Sequence, residues 1–265
     1  MIYFVLRIAG VLTFLILPCQ SCVGQSIREL GRQLCRIPTD CEAPQEGATR
    51  VLFQSAEEWL ESTSPMLSQF SAIEVVGVEY GFNPELATFI SKLPKLHSLR
   101  IGETPSGVNL ARVLEPFADS AELRTLEIAY VNVDHQCLTT VGKLKGLESF
   151  TCDIALSGEE MQALQGLAHL KFLDVLVVED EATMPLVFPQ LEELHVHDPV
   201  TLRWFSNCKK LKRLVVHGLC SDRDVSDLTS RFPQIREVSL VVDSLGSLMA
   251  MDRLRSIEKL SVSLR

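Results

Sequence analysis

Three histidines in the second half of the chain are the residues best suited to chemistry. Two of them, His195 and His197, are separated by one residue in the stretch LEELHVHD, and His217 follows in the next apolar stretch. Imidazole nitrogens bind Zn²⁺ at about 2.0–2.1 Å, and three protein ligands leave a fourth position for a reacting water. One hypothesis is therefore a zinc-dependent hydrolase that uses these three histidines.

Other catalytic patterns are missing from the sequence. Pro199 and Val200 follow Asp198, so the longer H-x-H-x-D-H run of binuclear metallohydrolases is interrupted. No G-x-S-x-G, H-E-x-x-H or glycine-rich phosphate loop occurs either. We therefore expect no catalytic residue, no metal and no cofactor, and we interpret the histidines as side chains on a solvated, partner-facing strand.

The N-terminus has the pattern of an export signal. One cation, Arg7, precedes ten uncharged and mostly apolar residues, Ile8–Leu17, and Pro18 follows. This run is shorter than the roughly 20 residues that span a bilayer, but it fits the apolar region of a signal peptide. We predict a signal peptide over residues 1–24, cleaved near Gly24, with an uncleaved anchor as the alternative. The predicted location is extracytoplasmic: secreted, periplasmic or attached to the cell envelope.

Two cysteines, Cys19 and Cys22, lie in this same segment. Their C-x-x-C spacing occurs in redox and zinc pairs, but we expect the segment to be removed. The stretch also resembles a bacterial lipoprotein signal, which implies lipidation at Cys22 after the small residue Ser21; Cys19 and Pro18 depart from that pattern. A lipid-anchored structural protein of the envelope is therefore a further alternative.

Six cysteines follow the signal segment: Cys35, Cys41, Cys137, Cys152, Cys208 and Cys220. An even number permits disulfides in an exported chain, and Cys35 with Cys41 could close an N-terminal cap. Cys152 and Cys208 stand where equivalent positions hold leucine or phenylalanine, which predicts buried thiols.

Composition narrows the class of protein. The chain has 265 residues, of which 46% are hydrophobic and 22% charged, as in folded proteins rather than disordered ones. Its net charge of −9 and pI of about 5.2 argue against nucleic acid as a partner, because such binding depends on a basic surface.

An apolar pattern, apolar-x-x-apolar-x-x-apolar-x-apolar, recurs along the chain. Its second apolar position falls on nine residues: Phe70, Leu96, Leu123, Leu147, Leu170, Leu191, Leu211, Ile235 and Ile257. The alternation at the end of each copy predicts a strand, and Arg50–Phe53 is a candidate for a tenth, terminal strand. Asn83, Ser157 and Ser221 are predicted N-caps of helices between strands.

This pattern resembles the leucine-rich-repeat family, in the form of an irregular, exported, bacterial-type member. The family's L-x-x-L-x-L core is clear in LRTLEI, LKFLDV and LEELHV, but the asparagine that usually follows is missing. The resemblance implies an α/β fold, a leucine-rich-repeat solenoid (horseshoe) with a parallel β-sheet on the concave face and helices on the convex face. We expect it to occupy residues 51–265 with about nine to ten repeats, after an N-terminal cap or linker over residues 25–50 that includes a short helix in SIRELGRQLCRI.

The repeat also predicts which residues face away from the core on each strand. We expect a protein or peptide partner to bind this strand face, through the following residues: Phe172, Asp174, Leu176, His195, His197, Arg213, Val215 and His217. Phe172, Leu176 and Val215 are the predicted apolar anchors. Membrane contact is expected only through the signal or a lipid. The last strand lacks a polar cap, so self-association through the C-terminal edge is a further expectation.

Overall fold

The computed structural model describes residues 2–8, 11–17, 35–37, 49–53, 71–131, 133–177, 185–242, 244 and 256–264. The chain divides into two compact units. Unit 1 comprises Met1–Cys22, Ala155–Gln162 and Leu170–Arg265, and unit 2 comprises Val23–Ile154 and Ala163–His169. The predicted cleavage site near residue 24, the lipidation site Cys22 and the cysteine Cys41 lie outside the described residues. Those predictions, and the predicted domain boundaries, stay predictions.

Strands and short helices alternate through most of the described residues. The strands are β1 (Ile2–Ile8), β2 (Val11–Leu17), β3 (Cys35–Ile37), β4 (Arg50–Phe53), β5 (Val75–Tyr80), β6 (Ser98–Glu103), β7 (Thr125–Ile128), β8 (Ser149–Leu156), β9 (Phe172–Val177), β10 (Leu186–Val187), β11 (Glu193–Val196), β12 (Phe205–Ser206), β13 (Arg213–Cys220), β14 (Glu237–Val242) and β15 (Lys259–Leu264). The α-helices are α1 (Pro84–Ile90), α2 (Leu110–Leu114), α3 (His135–Val141), α4 (Gly158–Ala163) and α5 (Asp222–Arg231). Within the described residues, 3-10 helices cover Glu115–Phe117, Leu164–Gly166 and Pro199–Trp204.

In unit 2, strands β3 to β7 and the start of β8 form parallel pairs in chain order. The register places equivalent repeat positions opposite one another: Leu99 faces Leu126, and Leu126 faces Phe150. All three side chains are fully buried. The predicted strand at residues 50–53 is confirmed as β4, but it is not terminal, because β3 pairs with its other side. Each strand therefore contributes one layer to a continuous apolar core, because a single repeat cannot bury its own apolar face.

The frame of the first repeat was predicted wrongly. Val76 lies opposite Leu99, so Ile73, and not Phe70, is the counterpart of Leu96. Ile73 and Val76 have no exposed surface. Two overlapping apolar runs in this stretch satisfy the same spacing, and only pairing with the neighbouring strand selects between them.

The predicted helix of the N-terminal cap is also partly wrong. The stretch SIRELGRQLCRI has apolar residues at helical spacing, yet its last residues, Cys35–Ile37, form strand β3 beside β4. The rest of that stretch lies outside the described residues. Main-chain hydrogen bonds offered by a neighbouring strand can outweigh a local helical pattern of this length.

In unit 1, strands β9, β11, β13, β14 and β15 form successive parallel pairs. At the far side, β1 pairs antiparallel with β15, and β2 continues this sheet as the second strand of a hairpin. The expectation of an open C-terminal edge is thus corrected, since β1 occupies it. Removal of residues 1–24 would take β1 away from β15, so self-association at this edge now depends on the cleavage prediction.

The three predicted helix caps are confirmed. Asn83 accepts a hydrogen bond from the main-chain N–H of Leu86 through its side chain (2.9 Å) at the start of α1. Ser157 and Glu160 form a capping box at α4, with distances of 2.7 and 3.3 Å. Ser221 forms the same arrangement with Asp224 at α5. None of the helices in the described part of the chain is long and apolar enough to cross a membrane.

Candidate binding surface on the strand face of unit 1

Strands β9, β11 and β13 bring the predicted site residues together. Their register aligns Asp174 with His195, and His195 with Val215. Because side chains alternate along a strand, Leu173 and Leu194 point into the core and the intervening residues point away from it. We call the resulting surface the histidine patch, and it consists of the eight predicted residues and Glu193: Phe172, Asp174, Leu176, Glu193, His195, His197, Arg213, Val215 and His217.

The apolar side chains of the histidine patch are not equally available. Phe172 and Leu176 are half-buried, whereas Val215 has 8% of its surface exposed. The Phe172 ring meets His195 edge-on, with ring centroids 5.0 Å apart. Val215 was predicted as an anchor, and the structure corrects this: its side chain is packed away and offers little area to a partner. Phe172 and Leu176 are the more exposed apolar side chains of the patch.

One half of the patch is ionic. The His195 ring lies between two carboxylates, with Nε2 2.7 Å from Glu193 Oε1 and Nδ1 3.6 Å from Asp174 Oδ2. Arg213 places its guanidinium 3.1 Å from the same Glu193 oxygen. Burial lowers the pKa of His195, but the nearby Asp174 carboxylate and the hydrogen bond with Glu193 outweigh burial and raise that pKa above the ordinary value. The hydrogen bond from His195 holds the pKa of Glu193 below its usual range. Both ionised forms are thus favoured in the folded protein.

The other half of the patch is a pair of neighbouring imidazoles whose planes are tilted by 36°. The rings of His197 and His217 lie 4.8 Å apart between centroids, and His195 is 6.0 Å from His217. This confirms the prediction that His197 and His217 are lateral neighbours. Burial and the nearby His197 lower the pKa of His217, because a charge there would be poorly solvated and would face a second cation. Folding therefore favours the uncharged form of His217, next to a His195 whose charged form is favoured.

A bulge in β13 shapes this side of the patch. Val215 lies opposite Ser239 of β14, but Leu219 lies opposite Val241, so β13 contains extra residues between them. Gly218 occupies the bulge, and a Cβ on it would collide with the main-chain carbonyl oxygen of His197. Bulges are common beside functional sites because they redirect side chains. The sequence prediction missed both Gly218 and Leu219, whose side chain is 47% exposed; the glycine in VVHGLC was the available signal.

The arrangement does not form a ready metal site. Across the residues that the structure describes, no group of three or more histidine, cysteine, aspartate or glutamate side chains is placed to hold a metal ion. Both ring nitrogens of His195 already face carboxylates. A metal on the three histidines would have to displace one of these two carboxylates from His195 before it could bind.

Comparison with known proteins places this geometry in context. No protein-family model matches the chain. The chain is 30% identical over 169 residues to the ToMV resistance protein Tm-2(2) of Solanum lycopersicum, and equally to the ToMV resistant protein Tm-2 netted virescent of that species. Each match covers 59% of this chain and 17% of the relative, so the chain corresponds to a small part of those proteins.

Two solved structures are similar at low identity. A protein of Bacteroides fragilis is 15% identical with a TM-score of 0.48, covering 74% of this chain and 66% of that one. An internalin of Listeria monocytogenes is 13% identical with a TM-score of 0.38, covering 74% and 77%. Within each unit of the present chain, the apolar pattern repeats strand by strand, in parallel and in register. The repeating strands and helices of the chain are consistent with the leucine-rich-repeat fold.

The described cysteines beyond Ile37 belong to the core. Cys137, Cys152, Cys208 and Cys220 are buried thiols, which confirms the prediction for Cys152 and Cys208. Burial raises the pKa of Cys208 to about 11, and burial likewise raises the pKa of Cys137. Because the thiolate is the reactive form, neither thiol is prepared to act as a nucleophile.

Proposed function

We propose that this protein is a non-catalytic leucine-rich-repeat module that is exported and binds a protein or peptide on the histidine patch. The observation that supports this most is the combination of half-buried Phe172 and Leu176 with a fixed ionic group on neighbouring strands. An apolar centre beside polar groups is the usual composition of a protein-binding surface. The strands hold these side chains on a rigid sheet, so little conformational entropy is lost when a partner binds.

The chemistry of the patch indicates what the partner presents. In the proposed complex, Phe172 and Leu176 contact an apolar side chain of the partner. His197 and His217 offer ring nitrogens that can donate or accept hydrogen bonds. Glu193, His195 and Arg213 satisfy one another, so they contribute more to orientation than to net attraction. A partner with an apolar anchor flanked by uncharged polar groups fits best.

The binding test compares two aspartate substitutions on the same face. Leu176→Asp places a charge inside the patch, and Val241→Asp places the same charge at a half-buried valine of β14, outside it. Affinity capture from native material identifies the bound protein, and titration with that purified protein gives the dissociation constants. We expect Leu176→Asp to weaken binding by at least tenfold, because it buries an unpaired charge, and Val241→Asp to change it little. Equal effects of the two substitutions would place the binding elsewhere.

Export is tested separately. The signal-like residues 1–24 support a mature chain that begins near Gln25. Intact-mass measurement of the protein from the medium or envelope fraction should show this loss. Recovery of a chain that retains Met1 in the cytosolic fraction would contradict export. Detergent partitioning that is abolished by Cys22→Ser would instead support the lipid-anchored alternative.

A further inference from the structure

Two exposed tyrosines stand at the carboxyl ends of strands in unit 2. Among the described residues, four large hydrophobic side chains are exposed: Tyr80, Tyr130, Leu219 and Leu264. Tyr80 is 57% exposed and Tyr130 is 72% exposed. Exposed aromatic area of this kind marks interaction sites more often than exposed aliphatic residues do, because tyrosine is enriched at interfaces.

The strand register places a carboxylate between them. Tyr80 lies opposite Glu103, and Tyr130 lies two residues beyond Ile128, the residue that pairs with Ile101. Parallel strands are about 4.8 Å apart, so β5 and β7 are separated by about 10 Å with β6 between them. We call the set Tyr80, Glu103 and Tyr130 the tyrosine rim.

Main-chain hydrogen bonds fix the backbone of the tyrosine rim. Gly81 donates its N–H to the carbonyl of Glu103 (3.0 Å). The N–H of Tyr130 donates to the Asp153 carboxylate (3.0 Å), and Tyr130 has a positive φ of 58°. The two rings are thus carried on a fixed backbone at the edge of the sheet.

The charge around the rim has one sign. The three segments at the carboxyl ends of β5, β6 and β7, residues 79–85, 103–109 and 129–135, contain no lysine or arginine, and their acidic residues are Glu79, Glu85, Glu103 and Asp134. Five cations lie instead in the segments that precede β6, β7 and β8: Lys92, Lys95, Arg124, Lys143 and Lys145. Arg100 lies on β6, where it pairs with Glu127, and Arg112 lies on α2, beyond the 103–109 segment. The complement of an acidic edge with exposed aromatic faces is a cation.

The geometry points to the tyrosine rim as a second binding surface, which takes an extended, arginine- or lysine-rich segment of another protein. A guanidinium or ammonium group sits against the faces of Tyr80 and Tyr130, where the ring quadrupoles attract it, and pairs with the Glu103 carboxylate. This surface is built from unit 2 alone and does not depend on the histidine patch of unit 1.

The test uses a fluorescent octa-arginine peptide as the probe and the full chain as the receptor. We expect binding that weakens with salt, and a loss of roughly tenfold in the double variant Tyr80→Ala/Tyr130→Ala. The double variant Tyr80→Phe/Tyr130→Phe keeps the rings and should stay within about twofold of the parent. Glu103→Gln should weaken binding several-fold. The matched control is Glu122→Gln, which removes the same charge from an exposed glutamate that precedes β7.

Several results would overturn the inference. The first is a parent chain that does not bind octa-arginine. The second is an equal loss for Glu103→Gln and Glu122→Gln, since this would mean that the net charge alone attracts the peptide. The third is a tyrosine-to-alanine variant with unchanged affinity and a native circular dichroism spectrum. Should that variant unfold, the comparison of the two glutamate variants decides the matter. Leu176→Asp in the histidine patch should leave octa-arginine binding unchanged, so this test is distinct from that of the proposed function.

Discussion

The strand faces of the two units have the same backbone but different side chains. In unit 2, the face of β6 and β7 carries Arg100 paired with Glu127 at 3.2 Å, beside the small hydroxyl side chains of Ser98 and Thr125. In unit 1, the face of β9, β11 and β13 carries phenylalanine, leucine and three histidines. Both faces use the same positions of the repeat, so the fold does not distinguish them. The side chains that alternate with the core therefore give the two faces their different chemistry.

The core positions should behave alike in both units. Leu126→Ala in unit 2 and Leu194→Ala in unit 1 each remove a fully buried side chain at the same repeat position. We expect each to lower the free energy of unfolding by about 2–5 kcal/mol, through lost burial and the cavity left behind. Denaturant melts measure this. A loss below about 1 kcal/mol for either variant would show that the two cores are not equivalent.

Because of the bulge, we expect the stability of unit 1 to depend on Gly218, although this residue has no side chain. Gly218→Ala forces a Cβ against the carbonyl oxygen of His197, and we expect a loss of about 1–3 kcal/mol from the resulting backbone shift. Leu219→Ala, at the adjacent exposed position, should change stability by no more than about 0.5 kcal/mol. Thermal melts of the two variants provide the comparison, and a neutral Gly218→Ala would mean that the bulge adapts freely.

We expect the two halves of the patch to contribute to stability in different pH ranges, because the pKa values of His195 and His217 are shifted in opposite directions. The folded pKa of His195 is raised, so its stabilising effect is complete below the unfolded value of 6.5 and is lost as pH rises through the folded pKa. The folded pKa of His217 is lowered, so stability is lost as pH falls below 6.5 toward that pKa. NMR titration of the imidazole resonances should show His195 titrating above 6.5 and His217 below it.

A substitution at Glu193 provides a check on this order. Glu193→Gln removes the carboxylate nearest the ring and should move the His195 titration to lower pH, with little effect on His217. If both histidines moved together, the two halves of the patch would be one coupled group rather than two environments.

The smallest effect is expected at His197. Its side chain is exposed, so His197→Ala should change the free energy of unfolding by no more than about 0.5 kcal/mol, although it can still weaken a partner bound beside Leu176. Denaturant melts of His197→Ala and Leu194→Ala compare an exposed residue of the strand face with a buried residue of the core. A large loss, reproduced in the parent protein by a chelator, would show that the histidines hold a metal.

Much of the local structure was predictable because its causes are local. The apolar spacing placed eight of the nine repeats in the correct frame. The side chains of Asn83, Ser157 and Ser221 indicated where helices begin, because their capping hydrogen bonds span only three residues. The strand face of unit 1 followed from alternation alone. The amino-acid order was sufficient wherever a residue's neighbours in sequence are also its neighbours in space.

Other features depended on pairing between strands. The frame of the first repeat, strand β3 in place of a helix end, and the pairing of β1 with β15 each required a neighbour distant in sequence. The burial of Val215 and the bulge at Gly218 belong to the same class. The apolar period, the caps and the resemblance to leucine-rich repeats were thus determined by the sequence itself. The tertiary structure decided the strand register, the carboxylates that contact His195 and the exposure of Phe172, Leu176 and Val215. These depend on which segments meet, because strands form hydrogen bonds and bury side chains only against their neighbours.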